Sequence, residues 1–239
     1  TAYGLLRLWA GHANKYRELF FVAGLVAAIP LLIIGLAVRE RKAPISKTRI
    51  SLAALRGPFA GFLAVMLLFT LGNSSDAFLI LRAQDVGMAT ALIPVVIALF
   101  NLVSALAAIP AGRLSDRIGR RRTITYGWAV YALTYLGFAL VRQAWMVWLL
   151  YTFYGLFYAL TEGSGKALVA ELVPEHSRGT AYGLYNASVG VMALPASVVA
   201  GVLWQRVSPA APFAFGAALA LAAFVSLQFG PDAKAAQAS

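Results

Sequence analysis

Long apolar runs alternate with short charged interruptions along the whole chain. Seven runs reach the length needed to cross a hydrocarbon core, about 20 residues each. They are 19–38, 59–81, 88–111, 123–141, 144–165, 179–205 and 210–229. Inside them lie only two acidic residues, Asp76 and Glu162, and no basic one. In lipid the backbone must satisfy its own hydrogen bonds, and a long uninterrupted apolar run does so as a helix rather than as a barrel strand. The pattern therefore predicts an all-α membrane protein with seven transmembrane helices.

Composition agrees. Of the 239 residues, 61% are hydrophobic and 12% charged, against roughly 25% charged in soluble domains. One soluble core of this size could not bury so much apolar surface. The absence of cysteine excludes a disulfide scaffold. The net charge of +11 reads as topology. Fourteen of the 20 lysines and arginines fall in 39–58, in 112–122, or at Lys166, Arg178 and Lys234, all on one side of the predicted spans. That side, with the C-terminus, is expected to be cytoplasmic. No loop is large enough for a basic nucleic-acid module, so no nucleic-acid partner is expected. The segments 82–87, 142–143 and 206–209 leave no room for a soluble catalytic domain. Residues 39–58 read as a linker between bundles. The chain starts at Thr1, and Leu5, Leu6 and Trp9 look like the end of an earlier span, so a longer parent chain is expected.

Signatures of an enzyme are missing. His12 and His176 fall in loops on opposite sides and cannot share a metal. Gly163-Ser164-Gly165-Lys166 imitates the end of a phosphate loop, but Leu160 and Ala167 stand where that loop needs Gly and Ser or Thr. No Ser/His or paired-Asp arrangement appears at one membrane depth. Neither catalytic residues nor a metal or cofactor is expected.

The richest segment is Gly112-Arg113-Leu114-Ser115-Asp116-Arg117-Ile118-Gly119-Arg120-Arg121, read as a tight turn between the third and fourth spans. Its glycines permit close helix approach, Asp116 suits a helix N-terminus, and its arginines suit carboxylates or helix C-terminal carbonyls. At Gly112, Asp116, Arg117, Gly119, Arg120 and Arg121 it resembles the G-x-L-S-D-R-x-G-R-R gating loop of the major facilitator superfamily. A second stretch, Glu171-Leu-Val-Pro174-Glu175-His-Ser-Arg178-Gly179, is similar to that family's E-x-x-P-x-x-x-R-G loop. The resemblance implies a cytoplasmic charge network in which Glu171 pairs with Arg120 and with Arg178.

The resemblance also implies placement in a twelve-helix fold of two six-helix halves. Residues 1–38 would hold the end of the fifth span, a periplasmic loop and the sixth span. Residues 39–58 would be the central linker, and 59–239 the C-terminal six-helix bundle. The missing N-terminal half would then be a partner, beside the lipid bilayer. The implied function is secondary active transport of small solutes by alternating access, coupled to protons, with efflux slightly favoured over uptake. The implied location is the bacterial inner membrane. The competing expectation is a truncated or non-transporting membrane protein, receptor-like or scaffold-like.

Charge inside a membrane is costly, so Asp76 and Glu162 are the candidates for coupling. On one uninterrupted helix Gly72, Asn73 and Asp76 would share a 100° arc. Tyr151, Tyr154, Tyr158 and Glu162 recur at +3, +4 and +4, an aromatic stripe ending in a carboxylate. The resemblance makes these the seventh and tenth spans, both lining the cavity. Plainer roles stand beside these: Asp76 as interhelical glue with Asn73, and Glu162 as a partner of Lys166 one turn on. Gly183 and Gly190 beside Asn186 suggest a close-packed helix face, and Asn101 suggests an interhelical bond.

Overall fold

The computed structural model describes residues 15–37 and 57–229. They belong to two units, one within 1–47 and the other within 48–239. The expected earlier span, most of the linker and Lys234 lie outside the described residues. Every regular element among the described residues is helical. The first unit contributes α1 (Lys15–Ala37), a continuous helix that contains Pro30, with Leu31 to Leu36 exposed along its second half.

The second unit holds α2 (Pro58–Gly72), α3 (Ala77–Asp85), α4 (Ile93–Ile118), α5 (Arg120–Leu140), α6 (Ala144–Leu172), α7 (Arg178–Arg206) and α8 (Ala211–Phe229). Short 3₁₀ turns, Thr90–Leu92 and Glu175–Ser177, precede α4 and α7. Pro58 starts α2 in its first turn, where a missing N–H costs nothing.

Three boundaries depart from the apolar runs. The predicted span 59–81 is two helices, not one, broken at Asn73-Ser74-Ser75-Asp76. Short polar side chains compete there for the backbone: Ser75 Oγ accepts the Ala77 N–H at 3.3 Å. The arc of Gly72, Asn73 and Asp76 therefore does not exist as a helix face. The third span extends through Ile118, so most of the expected loop is helix. The turn is Gly119 alone, at φ 93°, a conformation that suits glycine. The fifth span runs on to Leu172, placing Glu171 in the last turn of α6.

Five described stretches are long and apolar enough to cross a bilayer: Pro58–Asp85, Thr90–Ile118, Ala144–Leu172, Glu175–Arg206 and Ala211–Gln228. The expected span at 123–141 is helical but is not among them. Its side chains explain why. Thr123, Thr125 and Thr134 return their hydroxyls to the carbonyls of Gly119, Arg121 and Val130, and Tyr131 and Tyr135 are fully buried. Packed between α6 and α8, α5 turns these threonines and tyrosines toward protein, while Leu133, Leu136 and Leu140 remain exposed.

In lipid, helices associate by packing and hydrogen bonding rather than by the hydrophobic effect. The packing here is aromatic. Between helices, Phe69 of α2 stacks on Trp128 of α5 with centroids 4.9 Å apart, Tyr131 of α5 meets Phe157 of α6 edge-on at 4.8 Å, and Phe138 of α5 stacks on Phe213 of α8 at 5.6 Å. Such pairs add about 0.5–1.5 kcal/mol each beyond burial. A close backbone approach joins α2 to α8, where a Cβ on Gly216 would lie 2.5 Å from the Gly72 carbonyl oxygen. The expected small-residue contact at Gly183 and Gly190 is absent among the described residues, since a Cβ there meets nothing within 4 Å. Asn101 and Asn186 likewise donate to carbonyls of their own helices, Ile97 and Tyr182, not across helices.

Candidate functional site

The break between α2 and α3 puts Asp76 beside α6. Tyr154, 1% exposed, donates its hydroxyl to Asp76 Oδ1 at 2.6 Å. From α5, the Tyr131 hydroxyl lies 3.2 Å from both the Gly72 carbonyl and Asn73 Oδ1, so one proton serves two acceptors at the frayed end of α2. The Tyr135 hydroxyl is buried beside Ser74 and Tyr131 without a hydrogen bond of normal geometry. Three tyrosines from two helices thus surround the break. Asp76 itself is exposed among the described residues.

The stripe on α6 divides. Tyr151 is buried against Phe138, and Tyr158 lies edge-on between Phe100 and Tyr154 at 5.1 and 5.3 Å. Glu162 does not join Asp76. It pairs with Lys166 Nζ at 3.0 Å, both side chains more than half exposed. Such an exposed pair contributes well under 1 kcal/mol, so Glu162 is lightly held.

Two cavities meet at Tyr158 and Glu162. One of about 280 Å³ lies between α4 and α6, lined by Ser104, Gly112, Asp116, Arg120 and Ser164. The other, about 250 Å³, is walled by Phe69, Trp128 and Tyr185 with Asn73, Asn186 and Lys166. The second cavity thus combines aromatic walls with two amides and the Glu162–Lys166 ion pair.

At the opposite end of the bundle from α3, the motif residues form an ionic cluster. Arg120 binds the Glu171 carboxylate through Nε and lies 3.9 Å from Asp116. Arg121 donates to the Leu227 carbonyl from Nε at 2.9 Å and Nη2 at 2.6 Å, holding a carbonyl in the last turn of α8. Arg178 does not reach Glu171. Its partners are Glu175 at 3.8 Å and the Ala170 carbonyl at 3.3 Å, because the 3₁₀ turn sets Glu175 three residues before it. Gly112, Asp116, Arg117 and Gly119 are exposed, and a Cβ at Gly112 meets nothing within 4 Å.

Several contributors have no signature in the apolar pattern. Ser164 donates to Ser115 at 3.1 Å, a buried bridge between α6 and α4. Tyr131 and Tyr135 could be found only by knowing which face of α5 meets the break. Arg82 reads in the sequence only as a charge in the short connection 82–87.

A bundle of apolar helices, broken at an acidic residue and clasped at one end by arginines, is an integral multi-pass membrane protein. The family model of the Major Facilitator Superfamily matches residues 59–238, and the chain belongs to that family. It is 37% identical over 217 residues to the uncharacterized MFS-type transporter MJ1317 of Methanocaldococcus jannaschii, covering 87% of this chain and 53% of that protein. It is 36% identical over 138 residues to the class E tetracycline resistance protein of Escherichia coli, covering 56% of this chain and 33% of that protein. Against the tetracenomycin C resistance and export protein of Streptomyces glaucescens, identity is 31% over 140 residues, with 58% and 26% covered. The chain spans about half the length, or less, of these curated relatives.

Proposed function

We propose that this chain supplies one wall of a secondary transporter that moves small solutes by alternating access, with Asp76 as the proton-coupling carboxylate. The observation that carries the reading is the hydrogen bond from buried Tyr154 to Asp76 at the break in the span. Broken helices place polar backbone and side chains at a solute path. A carboxylate there can exchange its bond to the tyrosine for a proton and so change the local packing. The two cavities beside Tyr158 form part of the path, and Glu162, held only by an exposed lysine, is the second protonatable group.

On this reading the arginine-rich end and the C-terminus face the cytoplasm of a bacterial inner membrane, and α3 faces outward. The arginine cluster with Asp116 and Glu171 then gates the inner end, with Arg178 at its edge. A chain of this extent would work against a second six-helix half. Efflux is the favoured direction, in keeping with the printed names of two relatives, one a resistance protein and one an export protein.

Proton release from acidified inverted vesicles carrying the transporter tests the reading, with a panel of amphipathic solutes headed by tetracycline. The expected result is solute-dependent proton release that Asp76→Asn abolishes and Glu162→Gln reduces less. Undiminished release in Asp76→Asn would remove Asp76 from coupling.

A further inference from the structure

Arg82 has a role that neither its position in a short connection nor the family motifs announce. It sits on α3, a helix of nine residues and so about 13 Å long. Both ends of α3 are joints. Before it lies the non-helical Asn73–Asp76 segment. After it comes a glycine closure in which Met88 N–H reaches the Ala83 carbonyl, Gly87 N–H reaches the Gln84 carbonyl, and Gly87 has φ 89°. Between the joints, α3 buries one narrow stripe, Leu79 and Ala83, both 0% exposed.

Arg82 reaches from this helix to the far end of α5. Its Nε donates to the Phe138 carbonyl at 3.1 Å, and its Nη2 donates to the carbonyls of Ala139 at 3.4 Å and Val141 at 3.0 Å. Those carbonyls end a helix and have no partner further along it. The guanidinium also binds Asp85 on α3 itself, and its side chain is only 11% exposed. One planar cation thus joins two helices, with its charge placed where the α5 dipole is negative.

We propose that Arg82 is the positioning residue that latches α3 onto α5, and that release of this latch swings α3 about its two joints to open the path beside Asp76. Its place in a transport cycle rests on the transport reading above, but the latch itself is measured without any transport. Binding three carbonyls requires a forked donor, so lysine at this position would hold only part of the contact.

The chain contains no cysteine, so single cysteines report opening directly. Ala83→Cys, and separately Met88→Cys, report behind α3, where both native residues are buried. Ala220→Cys, at a fully buried site on α8, reports general loosening. The probe is a small maleimide applied to the full chain in membranes. With Arg82 intact, all three label slowly. In Arg82→Gln the cysteines at 83 and 88 should label about tenfold faster while that at 220 stays slow, and Arg82→Lys should fall between. Unchanged labelling at 83 and 88, or an equal rise at 220, overturns the latch. A faster rate at 83 and 88 alongside normal proton release in Asp76→Asn would keep the latch and discard the coupling role of Asp76.

Discussion

Gly216→Ala adds one methyl group where the backbones of α2 and α8 cross closely. The added carbon would stand 2.5 Å from the Gly72 carbonyl oxygen and 2.7 and 3.0 Å from two ring carbons of Tyr135. Relaxed contacts need about 3.5 Å, so α2 and α8 must separate by roughly 1 Å. Neither obstacle can step aside: one is backbone, the other a buried ring stacked on Tyr131. Overpacking of this kind costs about 1–3 kcal/mol, and the gain in helix propensity returns at most about 1 kcal/mol. The net expectation is a loss of about 1–2 kcal/mol. Gly190→Ala is the matched comparison, since its Cβ meets nothing within 4 Å among the described residues; it should keep the propensity gain alone. Thermal unfolding in detergent, followed by tryptophan fluorescence, should lower the midpoint of Gly216→Ala by about 2–8 °C. Gly190→Ala should match or exceed the parent. If both variants melt with the parent, or both fall equally, the crossing is not the tight contact argued here.

The two stacked tyrosines separate by the same assay. Tyr131→Phe abandons the Gly72 carbonyl and Asn73 and should cost about 1 kcal/mol, whereas Tyr135→Phe deletes a buried hydroxyl lacking a good partner and should be neutral or stabilising. At the other end, Arg120→Glu places two acids together and should lower the midpoint; the exchange Arg120→Glu with Glu171→Arg should recover most of the loss, and failure to recover would make the pair incidental.

The helices were legible because lipid leaves the chain one solution for a long apolar run, and α4, α6, α7 and α8 overlap their predicted runs. The break at Asn73–Asp76 was not. Hydropathy averages over the whole run, while the break depends on four small polar residues that find other partners for the backbone. Glu162 and Asp76 looked equivalent as intramembrane acids, yet one faces Lys166 on its own helix and the other meets Tyr154 on a different helix. Spacing along one helix can suggest the first pairing; only the packing of α6 against the break decides the second.

By itself, then, the chain determined its solvent, its helical class and its family. Those follow from hydropathy and from motif residues that keep their spacing, both local properties of the sequence. Tertiary structure decided which helix is central, which carboxylate has a buried partner, and where Arg82 and Arg121 point. Those outcomes join residues 51 to 106 positions apart in sequence. No periodicity encodes them, because they depend on how whole helices cross.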